Sequence, residues 1–127
     1  MPLTSDAVLV AARRLVEAFA RTDTAAYFAC FHPRATFLFH TEPALLESRA
    51  AYERLWASWI GEGWQVVSCA SSDPHVVVVG ETAVFSHRVH TVTRVGSETT
   101  STVERESIVF AAQGDSVVAV HEHLSPA

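Results

Sequence analysis

Three glycine-led dipeptides, Gly80-Glu81, Gly96-Ser97 and Gly114-Asp115, divide the second half of the chain into Val-rich stretches in which apolar and polar residues alternate. A period of two marks strands with one buried face, and a two-residue bend with glycine at its first central position joins antiparallel neighbours. The stretches 64–71, 75–79, 82–95, 98–112 and 116–124, with Asp73-Pro74 as the remaining break, therefore predict an antiparallel meander.

Before Trp64 the apolar period lengthens. Val8, Ala12, Leu15 and Phe19 recur at helical spacing between Thr4 and Arg21, behind the cap candidates Thr4 and Ser5. Asp23 is placed to cap a short second helix with Thr24, Tyr27, Phe28 and Phe31 on one face, and Pro33, which lacks an N–H donor, is expected to stop it. Ala35 to His40 reads as a strand. A third helix opens at Ser48, carries Tyr52, Leu55, Trp56 and Trp59 on one stripe, and runs out at Gly61 and Gly63. Arg49 lies one turn from Glu53 and reads as a surface pair.

No repeat, low-complexity stretch or linker interrupts these 127 residues, 49% of them hydrophobic and 18% charged, so a single domain spanning residues 1–127 is expected. The element order α-α-β-α-β-β-β-β gives an α+β class. Helices cover one face of a curved, mainly antiparallel sheet, and a pocket forms between the layers.

Composition narrows the chemistry. All nine basic residues are Arg, which removes a Schiff-base lysine and a phosphate-loop lysine, and the five scattered glycines form no nucleotide cradle. No cofactor is expected. A formal charge of −5 opposes binding to nucleic acid. The longest early apolar run, Ala7 to Ala12, is too short to span a bilayer and is followed by Arg13 and Arg14, so no membrane association is expected. Cys30 and Cys69 lack metal-ligand spacing and read as free thiols, which fits the cytoplasm.

The tight bends also set a register. If Gly96-Ser97 and Gly114-Asp115 are two-residue loops, His87 faces Glu106 and Glu106 faces His123, with Phe85, Ile108 and His121 in the next row and Phe110 beyond it. A carboxylate between two imidazoles on an apolar wall is a cofactor-free acid–base arrangement, and His87, Glu106 and His123 are the candidate catalytic groups. The same pattern also describes a satisfied polar row inside the core. Phe85, Ile108, Phe110 and His121 become candidate ligand contacts by register. Tyr27, Tyr52, Trp56 and Trp59 project from helical stripes and His40 ends the first strand, which adds them to the candidate ligand-binding set. His121 and His123 have metal-like spacing on a strand, but no third ligand converges on them and no metal is expected. In this register Arg88 opposes Arg105, an unfavourable pair that points to solvent, a shared anion or a bulge, and a one-residue slip exchanges the two faces.

The element order, together with Ala35-Thr36-Phe37-Leu38-Phe39, Ser48-Arg49-Ala50-Ala51, Gly80-Glu81-Thr82-Ala83-Val84, Arg105 to Phe110 and the closing Val120-His121-Glu122-His123-Leu124-Ser125, resembles the nuclear transport factor 2-like, or SnoaL-like, superfamily. The ending is also similar to the association domain of calcium/calmodulin-dependent kinase II. The resemblance implies a cone-shaped sheet, a small-molecule pocket and a homodimer. It spans isomerases, cyclases, dehydratases and non-catalytic hubs, and so implies no single activity. Isomerases and epoxide hydrolases of the superfamily use cavity aspartates, whereas Asp6, Asp23, Asp73 and Asp115 all read as cap or turn residues here. Where the hub's pocket has arginines, this chain has Ile108 and Leu124. Paired histidines in the superfamily's dehydratases match His87 and His123. Two readings stay open: a cofactor-free lyase or isomerase acting on a small hydrophobic carbonyl or hydroxyl compound, and a non-catalytic ligand-binding or dimerisation module. In either, Val-rich strands on both faces favour a homodimer through the sheet.

Overall fold

The computed structural model describes residues 2–127. The elements are α1 (Ser5–Ala20), α2 (Thr24–Phe28), β1 (Phe31–Phe39), α3 (Arg49–Gly61), β2 (Trp64–Val79), β3 (Thr82–Val95), β4 (Glu98–Gln113) and β5 (Ser116–Pro126). Each helix starts where a side-chain oxygen meets an orphan backbone N–H. Ala7 N donates to Thr4 Oγ1, Ala26 N to Asp23 Oδ1 and Ala51 N to Ser48 Oγ, at 3.1, 3.2 and 3.1 Å. Arg49 pairs with Glu53 at 3.3 Å and also donates to the Phe31 carbonyl.

The strands form one sheet in the order β1-β5-β4-β3-β2, antiparallel except for the parallel β1–β5 pair. All three glycine bends close two-residue hairpins, shown by the pairs Val79↔Thr82, Val95↔Glu98 and Gln113↔Ser116. Gly80, Gly96 and Gly114 have φ of 62°, 61° and 60°, the left-handed region that glycine enters without penalty. Helix α3 packs against both β1 and β2, the two edges of the sheet. Only a sheet curled around the helical layer brings its edges to one helix.

Two expectations about proline change. Pro33 does not stop α2, which ends at Phe28; it lies inside β1, where the register shifts between Phe31 and Thr36. Asp73-Pro74 is no turn either. It sits in the bulge between Ser72 and His75 of a continuous β2, with Asp73 at φ 53°. Both strands are edges, where a missing donor is tolerated.

The core joins the helical layer to the inner sheet face through aromatic rings. Tyr27 stacks on Trp56 with ring centroids 4.9 Å apart and meets Phe31 edge-on at 5.1 Å. Trp56, Tyr27, Phe31, Phe37, Phe110 and Ile108 are among the largest fully buried side chains, and burying each contributes about 1.5–3 kcal/mol before entropy is subtracted. No helix of the described residues is long and apolar enough to cross a membrane.

Candidate functional site

Strand alternation decides which groups can meet beneath the helices. On β3 and β4 the expected register holds, with His87 opposite Glu106, Phe85 opposite Ile108 and Arg88 opposite Arg105. The two arginines lie on the outer face and are exposed, so solvent takes both charges. Glu104 and Glu106 alternate inward on β4.

On β5 the register differs. Near the turn Phe110 pairs with Ala119, but the next pair is Val109 with His121, so Val120 is an extra residue on β5. Beyond it every side chain changes face. Glu106 lies opposite Leu124 instead of His123, and Ile108 lies opposite Glu122. Glu122 is thereby buried, while His123 is exposed and His121 half-buried on the other face, where its Nδ1 lies 2.8 Å from Thr36 Oγ1. Burial and the charge of His123 hold the His121 imidazole below its usual range. The carboxylate between two imidazoles does not form, because the bulge separates His123 from Glu106.

The inner face opens into a cavity of about 320 Å³. The helical layer supplies Leu15, Val16, Phe19, Tyr27, Tyr52 and Trp59, with Trp64 beside them. The sheet supplies Cys69, Val89, Thr91, Thr93, Glu104, Glu106, Glu122 and Leu124, and Phe39 and Thr41 close one end. Of the expected ligand contacts, Tyr27, Tyr52 and Trp59 line this space. Trp56, Phe85, Ile108 and Phe110 are core residues off its wall, and Trp56 Nε1 donates to Thr24 Oγ1 at 2.9 Å. His40 reaches the wall indirectly, with Nε2 2.5 Å from Oε2 of the lining residue Glu104.

His87 stands behind the wall. Its side chain has no exposed surface; Nε2–H donates to Glu106 Oε1 at 2.6 Å, and Ser71 Oγ lies 2.5 Å from Nδ1. Glu106, not His87, therefore faces the cavity. Burial pushes the Glu106 carboxyl up, but its neighbours Glu122 and His87, the latter hydrogen-bonded to it, outweigh burial, and the group is held below the usual carboxylate range. Glu122 moves the opposite way. Burial, then the charge of Glu106, raise it well above the ordinary value, in the direction of the protonated form. The two neighbouring carboxyls are thus pushed in opposite directions. Beside them the Tyr27 and Tyr52 hydroxyls lie 2.9 Å apart. Burial, followed by the field of Glu122, raises both phenols. Burial also pushes the Cys69 thiol up to about 11. Cys30 and Cys69 are both free.

The sequence reading missed Glu104 and Glu122. Glu104 was signalled by its place two residues before Glu106 on one strand. For Glu122 the only signal was a change of parity: Ala119 is odd and Leu124 even, yet both face inward, which requires an extra residue between them.

Residues 8–127 match the SnoaL-like domain family. None of the curated proteins matches the chain. Similar solved structures include a nuclear transport factor 2-like protein of unknown function in nutrient uptake from Rhodospirillum rubrum, with TM-score 0.81, 18% identity and coverage of 94% of this chain and 98% of that one. A protein described as a candidate dehydratase of the same family, from Streptomyces avermitilis, gives TM-score 0.79 at 17% identity and covers 96% and 95%. A ketosteroid isomerase-like protein from Erwinia carotovora gives 0.82 at 15%, covering 95% and 94%. At these identities the likeness establishes the fold.

Proposed function

We propose that this chain, which belongs to the SnoaL-like domain family, is a small-molecule pocket protein that performs cofactor-free proton transfer on a small hydrophobic carbonyl or hydroxyl compound, as an isomerase or lyase. The observation that carries this reading is Glu106, held by His87 at 2.6 Å, beside Glu122 on the wall of an aromatic cavity, the two carboxyls pushed in opposite directions. Glu106 removes a proton from the carbon adjacent to the substrate's carbonyl, and charge develops on the carbonyl oxygen. His87 acts as a positioning residue that orients Glu106 through the 2.6 Å hydrogen bond and stabilises its charged form. The tyrosine pair donates to the substrate oxygen as charge develops there. The names of the Streptomyces and Erwinia neighbours support this class of chemistry without fixing the substrate.

The test is to incubate the protein with small apolar ketones in deuterated buffer and follow carbon-bound deuterium by NMR. Wild type should exchange the proton next to the carbonyl, and Glu106→Gln should slow this by about 10²–10⁴-fold. If ligands bind saturably while neither protein exchanges, the second reading holds, a binding or dimerisation module like the kinase hub whose ending this chain resembles. It draws its support from the 2.6 Å pairing of Glu106 with the buried His87.

Under either reading we assign a homodimer through the outer sheet face, where Leu38, Val77, Val84 and Val103 are 42–45% exposed. A monomeric mass by light scattering across a wide concentration range would exclude it. The free thiols support a cytoplasmic setting.

A further inference from the structure

The charges around the cavity are one-sided. Glu104, Glu106 and Glu122 line the sheet wall and Glu42 stands near Thr41, while among the described residues no Lys, Arg or His lines the space. His87 and His40 each pair with one carboxylate from outside the lining. Glu122 is the residue left over: it is 4% exposed, lines the cavity, and its buried Oε1 receives no hydrogen bond from any protein donor. Opposite these acids stand the rings of Phe19, Tyr27, Tyr52, Trp59 and Trp64.

We propose that the cavity's ligand carries a protonated primary or secondary amine on an apolar body, with its N–H directed to Glu122 and its body against the aromatic wall. A wall of carboxyl groups repels an anion and receives from an alcohol a neutral donor only, whereas an ammonium supplies a charge-assisted donor. In the empty cavity burial and the neighbouring Glu106 favour the protonated form of Glu122. An ammonium replaces that proton, so amine binding releases H⁺. Rings beside carboxylates suit such a cation, because their faces carry negative potential. This inference rests on the cavity being the ligand site, as proposed above, but not on turnover there.

The experiment uses the full chain and four probes of nearly one shape: phenethylamine, phenethyl alcohol, phenylacetate and phenethyltrimethylammonium. Binding is followed through fluorescence of Trp59 and Trp64, and proton release through calorimetry in buffers of different ionisation enthalpy. The amine is expected to bind about tenfold or more tightly than the alcohol, with phenylacetate weakest and the trimethylammonium, which has no N–H, weaker than the amine. Proton release should accompany the amine and not the alcohol. Glu122→Gln should remove most of the amine's advantage over the alcohol. Alcohol binding as tight as amine binding, tighter phenylacetate binding, or an amine advantage that survives Glu122→Gln would each overturn the amine. If Glu122→Gln does not fold, the wild-type ranking and the proton count decide alone. A cavity that binds none of the four probes overturns the ligand site itself, whereas probes bound without charge preference overturn only the amine.

Discussion

Two neighbouring strand pairs start from the same kind of bend and end differently. From Gly96-Ser97, β3 and β4 run without interruption through fourteen opposed pairs, and His87 meets Glu106 as the turn dictates. From Gly114-Asp115, β4 and β5 keep step only as far as Phe110 and Ala119, after which Val120 shifts the partner by one and turns the rest of β5 over. A tight turn sets the register it begins, and one extra residue is enough to reset it. In this protein the reset exchanges a pair of histidines for the buried Glu122 carboxyl on the cavity wall.

Inserting one alanine between His121 and Glu122 should break the contrast with the largest effect. With the bulge kept, it turns the rest of β5 over once more, drives His123 inward and expels Glu122 and Leu124, so a loss of about 4 kcal/mol or more is expected in urea unfolding. A variant as stable as wild type would mean that the bulge does not hold the register.

A smaller test compares one group from each strand pair. Glu106→Ala removes the partner of a fully buried imidazole and should cost about 2–3 kcal/mol. His123→Ala alters an exposed side chain and should stay within about 0.5 kcal/mol. Equal losses would show that the two strands contribute alike.

The smallest effect concerns pH. Glu122 binds its proton more tightly folded than unfolded, so between those two pKa values the folded state carries the extra proton and stability falls as pH rises, by at most about 1.4 kcal/mol per unit. Glu106 acts oppositely: its lowered pKa stabilises the fold above the ordinary carboxylate range, and that contribution is lost as pH falls through the folded value. Melting curves of Glu122→Gln against wild type should therefore diverge in the variant's favour as pH rises above the ordinary carboxylate range. Parallel curves would place the proton elsewhere.

Local chemistry made much of this molecule readable from its residues. Helix starts followed from Thr4, Asp23 and Ser48, whose side chains meet nearby N–H groups, and the hairpins followed from glycines held at positive φ. Both are decided within four residues. The His87–Glu106 pair was accessible because it needed only one turn and alternation. Glu122 was not, since the insertion at Val120 carries no glycine and its position depends on β1, a strand distant in sequence that pairs with Ala119 and His121 on either side of it. Pro33 misled for the same reason: proline forbids a helix interior, but its place on a sheet edge is a tertiary fact.

Those prolines bear on how copies of the chain can meet. The free side of β1 is already engaged by Leu46, which exchanges two backbone hydrogen bonds with Phe37, and the free side of β2 is broken midway by Asp73 and Pro74. An incoming strand thus finds no uninterrupted ladder to extend at either end, so propagation into ribbons or fibrils is blocked. Growth by lateral accretion is thereby disfavoured, which accords with the broadside contact proposed above, one that terminates after two copies.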